Sequence, residues 1–177
     1  MAREGAREIV FVTGGARSGK SRFAQARAEG WAGPLLYIAT AETLDDEMRE
    51  RVEKHRAERG ERWETLEEPL ALSRALGVAE GYGGALLDCL TLWTSNLLGL
   101  HGEDQSRLQA AVDAFLDSLD GFRGRICVVT NEVGAGIVPE NPLARRFRDL
   151  AGRLNQEAAR RATQAFLIVS GLAVRLK

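Results

Sequence analysis

Gly14, Gly19, Lys20 and Ser21 stand at the spacing G-x-x-x-x-G-K-S. Residue types at that spacing suit one task, the holding of a nucleoside triphosphate. Glycines allow successive backbone N–H groups to face one anion, and the N-terminus of a following helix adds partial positive charge. Lys20 would reach the β- and γ-phosphate oxygens, and the Ser21 hydroxyl would ligate Mg²⁺. The bland alternative is a glycine-rich turn with a surface lysine. Lysine occurs only at positions 20, 54 and 177, every other cation being arginine, so composition speaks against a chance lysine here.

A second chemical signal is Asp88, which closes the apolar run Ala85-Leu86-Leu87. An acid at the end of a buried strand is the Walker B arrangement, where a carboxylate holds the magnesium of a glycine-loop site. A third is His55. It continues the apolar stripe of Leu44, Met48 and Val52 and also the cationic row of Arg51 and Arg59, so it sits on the seam of a helix. One reading is a histidine packed at the edge of the core. The other is a nucleophile, since Arg51, Lys54, Arg56 and Arg59 oppose protonation and favour the neutral imidazole that attacks phosphorus. The same arginines would grip phosphate oxygens in fork geometry, and spacing alone does not separate the two readings. Cys89 and Cys127 lie in apolar runs without CxxC spacing, which points to small buried hydrophobes rather than a metal site. His101 reads as a solvated loop residue.

The elements that must position these groups alternate between strand and helix. Ile9–Val12 is a buried strand leading into the glycine loop, and the spacing of Phe23, Ala24 and Arg27 gives the helix after it. Leu35–Ala39 is a second strand, and Thr40 and Ala41 follow at its carboxyl end, where ligands of open α/β sheets gather. Asp45 and Asp46 open a helix that runs to Arg59. Trp63–Pro69 reads as a short extended piece, Leu70–Leu76 as a helix stopped by Gly77, and Thr91–Leu100 as an apolar helix. Leu108, Val112, Phe115 and Leu119 describe an amphipathic helix, and Ile126–Thr130 the strand after it. Asn131–Gly136 then lies on the ligand edge, with Glu132 in place to serve as a base. Asn141 and Pro142 start a long helix with Leu143, Phe147, Leu150, Leu154 and Ala158 inward. Phe166–Val169 is a core strand, and the Ser170-Gly171 turn returns Ala173–Leu176 as an antiparallel edge. The pattern predicts one α/β domain over residues 1–177, three-layered with a mostly parallel sheet, residues 1–7 being a frayed lead-in.

A formal net charge of −1 and the lack of a basic block argue against nucleic-acid partners. No apolar run approaches the roughly 18 residues of a membrane span, and no signal-peptide core precedes the first strand, so a cytoplasmic enzyme is expected.

The motifs resemble the bifunctional adenosylcobinamide kinase/adenosylcobinamide-phosphate guanylyltransferase family of cobalamin biosynthesis. The resemblance is carried by GGARSGKS from Gly14, YIATAE from Tyr37, EMRERVEKHRAERGERWETLEEP from Glu47, LLDCLTLWTSNLL from Leu86 and NEVGAGIVPENPLARRFRDLAGRLNQ from Asn131. It implies a RecA-like P-loop NTPase fold and a homo-oligomer, a trimer being one form. It implies phosphorylation of adenosylcobinamide by ATP or GTP, followed by transfer of GMP from GTP to the new phosphate through a GMP–histidine intermediate, giving adenosylcobinamide-GDP. His55 matches that histidine. Nucleotide contacts carry over to Gly14, Gly15, Ala16, Arg17, Ser18, Gly19, Lys20 and Ser21, to Ala39, Thr40 and Ala41, to Arg56, Ala57, Glu58 and Arg59, and to Glu67 and Asp88. Two other classes fit the glycine loop alone: a small-molecule kinase with a structural His55, and a RecA-like ATPase or regulatory module. Protein retaining the α-phosphate of GTP would set the family apart from the first, and polynucleotide-stimulated hydrolysis would mark the second.

Overall fold

The computed structural model describes residues 7–41, 60–102 and 104–177. The segment with His55, and with it Arg56, Ala57, Glu58, Arg59 and the helix expected from Asp45, lies outside the described residues.

The apolar run that opens the chain is strand β1 (Glu8–Gly14), buried from Ile9 onwards. Burial on both faces explains why it reads as a continuous run rather than an alternation. Helix α1 (Lys20–Glu29) leaves the glycine loop and buries Ala24 and Ala28, small residues that let it lie close on the sheet. Strands β2 (Leu35–Ala39) and β3 (Trp63–Glu67) follow, then α2 (Leu72–Ala79) and β4 (Gly84–Asp88). Helices α3 (Leu90–His101) and α4 (Gln105–Gly121) precede β5 (Arg125–Val129). Helix α5 (Pro142–Arg161), β6 (Gln164–Val169) and β7 (Leu172–Arg175) complete the order.

The seven strands form one sheet in the order β3-β2-β4-β5-β1-β6-β7. Six run parallel, and β7 pairs antiparallel with β6, as the Ser170-Gly171 signal predicts. Ser170 and Gly171 have φ of 51° and 81°, the left-handed pair of a two-residue hairpin turn. On one face Val10, Val12, Leu86, Val129 and Ile168 pack with Ala24 and Ala28 of α1. On the other, Ile9, Phe11, Leu36, Ile38, Leu87 and Val128 pack under α2, α3, α4 and α5. Helices on both faces of a mostly parallel sheet give the three-layer α/β architecture expected.

Three local expectations change. Helix α2 passes through Gly77 to Ala79 and starts at Leu72, not Leu70. Burial of Leu76 and Ala79 outweighs the ~1 kcal/mol that an interior glycine costs. His101 is the last residue of α3 rather than a loop residue. Leu143 is 60% exposed, because the first turn of α5 stands clear of the core that Leu150, Leu154 and Ala158 enter. The start of α5 is as expected: the Asn141 side chain accepts from the N–H groups of Leu143 and Ala144 at 2.8 and 3.1 Å, with Pro142 in the first turn. Among the described residues no helix is long and apolar enough to cross a membrane.

Candidate functional site

The glycine loop connects the carboxyl end of β1 to the N-terminus of α1, so its geometry follows from two fixed elements. Gly14 is required by proximity: a Cβ there would stand 2.5 Å from the carbonyl oxygen of Ile168 and 2.7 Å from Ser18 Oγ. Gly19 is required by conformation, with φ of 95°, and a Cβ would also meet Gly171 Cα at 3.3 Å. Arg17 takes a left-handed φ of 55°, and the Ser18 N–H donates to Gly15 O at 3.3 Å, closing a tight turn within the loop. The β6–β7 turn braces this loop from outside, Gly171 N–H donating to Ser18 O at 2.8 Å.

Lys20 is the first residue of α1 and only 8% exposed, and its Nζ lies across the loop, 3.0 Å from Gly15 O. Among the described residues no carboxylate lies within ion-pair distance of it. Ser18 Oγ, in the same loop, is buried with no hydrogen-bond partner among the described residues. A buried ammonium without a counter-charge and an orphaned hydroxyl are each costly unless an anion completes them. Together with the positive end of α1 they form a preformed phosphate cradle.

The carboxyl ends of the strands lie in register around this cradle. Ala39, Asp88 and Val129 are level on β2, β4 and β5, with Val12 level on β1. Asp88 is separated from β1 by one strand, about 10 Å at the usual strand spacing. Its Oδ2 accepts from the Tyr37 hydroxyl at 3.0 Å. The Cys89 thiol reports how these charges converge. Burial and then the neighbouring Asp88 carboxylate push it up to about 11, while the Lys20 ammonium acts in the opposite sense. The Asp88 carboxylate and the Lys20 ammonium thus both act on the Cys89 thiol, in opposite senses. Cys89 stays a thiol, and burial raises Cys127 further still, so neither is a thiolate nucleophile.

The rim beyond β2 is held by Thr40, which is fully buried. Its hydroxyl donates to Cys89 O and accepts from the Cys89 N–H, both at 2.8 Å, and its N–H donates to Asp88 O at 3.1 Å. Asn96 Nδ2 donates to its carbonyl at 2.8 Å. Thr40 thus locks β2 to β4, a role that spacing did not indicate. Ala39 is likewise buried, and Ala41 is half-buried beyond it. Glu67 ends β3 and is exposed, four strands from β1, or about 19 Å. The adjoining Glu68 is structural. Burial opposes its ionisation, but the N–H groups of Ala71 and Leu70 and the Arg74 guanidinium prevail and hold the carboxyl below its usual range.

A polar network unforeseen as such fills the space between β1, β5 and α5. Thr13 Oγ1 donates to Glu132 Oε1 at 2.8 Å, and the Glu132 N–H donates to Gly14 O at 3.1 Å. Asn155 Nδ2 donates to Asn131 O at 3.1 Å and reaches Glu132 Oε1 at 3.5 Å, while Asn155 Oδ1 accepts from Thr130 Oγ1 at 2.8 Å. The sequence placed Glu132 at this edge but joined it to neither Thr13 nor Asn155.

A family model described as cobinamide kinase / cobinamide phosphate guanyltransferase matches residues 10–176. The bifunctional adenosylcobalamin biosynthesis protein CobP of Pseudomonas aeruginosa is 46% identical over 168 residues, 94% of this chain and 96% of that protein. The bifunctional adenosylcobalamin biosynthesis proteins CobU of Salmonella typhimurium and Escherichia coli are 43% and 42% identical, each over 96% of this chain and 99% of their own length. Among solved structures, a prototypical type III secretion ATPase superposes with a TM-score of 0.57 at 13% identity, covering 95% of this chain and 56% of that one. That likeness shows the fold alone, a mostly parallel α/β sheet.

Proposed function

The chain belongs to the cobinamide kinase / cobinamide phosphate guanyltransferase family, and on that footing we propose that one triphosphate site, built on Gly14–Ser21, serves both reactions. The family's activity is twofold, phosphorylation of a cobinamide and guanylylation of the phosphate so formed. For this chain the acceptors are adenosylcobinamide and adenosylcobinamide phosphate. The observation that supports the single-site reading is the buried Lys20 ammonium on the first turn of α1, 3.0 Å from Gly15 O and with no carboxylate of the described residues at ion-pair distance.

In the kinase step the loop N–H groups and Lys20 hold the β- and γ-phosphates while the alcohol of the corrinoid attacks the γ-phosphorus. In the transferase step His55 attacks the α-phosphorus of GTP and expels pyrophosphate. The cobinamide phosphate then takes the GMP group from the imidazole. Arg56 to Arg59 and Ala39 to Ala41 complete the nucleotide contacts, with Glu67 towards the far edge. The donor set fits Mg²⁺: the Ser21 hydroxyl on the first turn of α1 and the Asp88 carboxylate are hard oxygen ligands that would hold the ion. When bound, the ion neutralises charge building on the phosphate oxygens. Tyr37 steadies Asp88 for that duty through its hydrogen bond to Oδ2.

An assembly of copies of this chain is part of the same reading. Leu172 and Val174 on the edge strand β7 are 73% and 49% exposed, and Leu176 beyond it 59%, an apolar edge of the kind copies cover.

The test is the pair of products. Purified protein with adenosylcobinamide, Mg²⁺ and ATP or GTP should yield the phosphate, and with GTP then adenosylcobinamide-GDP, read by mass spectrometry. Neither product from folded protein would refute the reading. Asp88→Asn keeps the shape but removes one charge. It should weaken both reactions about 10-fold or more at low Mg²⁺ and recover part of the rate as Mg²⁺ is raised. An unchanged magnesium dependence would leave Asp88 a structural strand-end residue.

A further inference from the structure

Residues far apart in the chain converge beside the glycine loop on the face of the sheet away from α1. Val10 and Val12 pack on the α1 side while Ile9 and Phe11 pack on the other, so the alternation of β1 turns Thr13 away from α1. There its hydroxyl meets Glu132, 119 residues later. We propose that Glu132 is the base of the kinase step, taking the proton of the attacking alcohol, and that Thr13 and Asn155 position it. This rests on the reading that the site phosphorylates an alcohol.

Placement comes first. The Glu132 N–H is bonded to Gly14 O, and its carboxylate to the residue before Gly14, so the group is tied to the root of the phosphate loop. Both side-chain bonds end on one oxygen: Thr13 Oγ1 and Asn155 Nδ2 donate to Oε1, at 2.8 and 3.5 Å. Oε2 accepts from none of the described residues, and Glu132 is exposed. One oxygen is thus anchored and the other is left unengaged by the described residues, as a base that must meet a substrate hydroxyl requires.

The anchor is itself fixed. Asn131 N–H donates to Thr91 Oγ1 at 2.7 Å, the Thr91 and Thr130 hydroxyls lie 3.2 Å apart, and Thr130 donates to Asn155 Oδ1. With the Thr130 proton spent on Asn155, Thr91 donates to Thr130, and the chain of donors runs in one direction. It sets the Asn155 amide with Nδ2 towards Asn131 O and Glu132. Thr13, Thr91, Thr130 and Asn155 are all buried, which protects these bonds from water.

Other described acids at this edge are engaged or distant. Asp88 lies on the α1 face with Oδ2 bonded to Tyr37, Glu68 is bonded to the start of α2 and to Arg74, and Glu67 is four strands away. The step balances. A bond forms between the corrinoid oxygen and the γ-phosphorus, and the bond from that phosphorus to the bridging oxygen breaks. Its electron pair stays on the leaving nucleoside diphosphate. The hydroxyl proton passes to Glu132 Oε2 and on to solvent. In the transferase step the acceptor is already a phosphate anion and has no such proton to lose, so Glu132 matters to one reaction only.

Glu132→Gln separates a base from a strut, because the amide oxygen still accepts from Thr13 and Asn155 but takes no proton. Its kinase kcat on adenosylcobinamide should fall about 10²–10³-fold, with the nucleotide KM little changed. GMP transfer from GTP to supplied adenosylcobinamide phosphate should keep the parent rate. Thr13→Val should lower the kinase kcat about 10-fold, and Thr13→Ser should restore it. A Glu132→Gln protein with the parent kinase kcat overturns the assignment. So does one that loses both reactions equally, which would make Glu132 a support of the loop. A parent protein that transfers GMP but does not phosphorylate adenosylcobinamide overturns the kinase reading and the base with it.

Discussion

Lys20→Ala should lower the phosphorylation of adenosylcobinamide and the transfer of GMP together, each by about 10³-fold in kcat/KM. On the single-site proposal both reactions need a triphosphate held at the same loop, so a shared loss would be its signature. The effect on stability should run the other way. Lys20 is buried without a counter-charge among the described residues, and a cation so placed opposes folding until an anion joins it. Lys20→Met, which fills a similar space, should therefore melt no lower than the parent in the absence of nucleotide. It should lose the rise in Tm that GTP gives the parent, since stabilisation by a ligand grows as the logarithm of its concentration over Kd and vanishes when binding is lost. Full GMP transfer by Lys20→Ala would show that two nucleotide sites exist and would end the single-site proposal.

His55→Ala should split the two activities. Incubation of the parent with GTP and Mg²⁺ should leave GMP covalently on the protein through an acid-labile, base-stable bond, as a phosphoramidate requires. The variant should show no adduct, and its GMP transfer should fall by at least about 10³-fold. Phosphorylation of adenosylcobinamide should persist within about threefold, because transfer of the γ-phosphoryl group needs no protein nucleophile. A folded His55→Ala protein that still acquires GMP would return His55 to a packing role.

The legible parts of this protein are those whose chemistry forces a local pattern. The phosphate cradle needs glycine where backbones collide and a lysine at the first turn of a helix. Gly14, Gly19 and Lys20 therefore announced it within eight residues. Asp88 was legible for the same reason, as an acid ending an apolar run. Thr13, Glu132 and Asn155 gave no local signal as a group, since their contact exists only once β1, β5 and α5 are assembled. Thr40 read as a site residue because it follows a strand, yet its hydroxyl serves the backbone of Cys89, 49 positions on. Helix α2 was misread at Gly77 because propensity is local, whereas the burial of Leu76 and Ala79 is not. The left-handed turn at Ser170-Gly171 was legible as a hairpin, but its contact with Ser18 was not.

That contact has a thermodynamic consequence. Gly171 donates to Ser18 O, and Gly171 Cα stands 3.3 Å from where a Cβ on Gly19 would be, so a shift of the loop around a triphosphate would press on the β6–β7 turn. The turn in turn sets where β7 lies. If a nucleotide alters that position, it alters the affinity of whatever covers Leu172 and Val174, and linkage makes the effect reciprocal. A neighbour gripping β7 would then change the dissociation constant for GTP by the same factor that GTP changes the hold of that neighbour. Nucleotide affinity would depend on protein concentration, and dilution would become a way to read the stiffness of a loop.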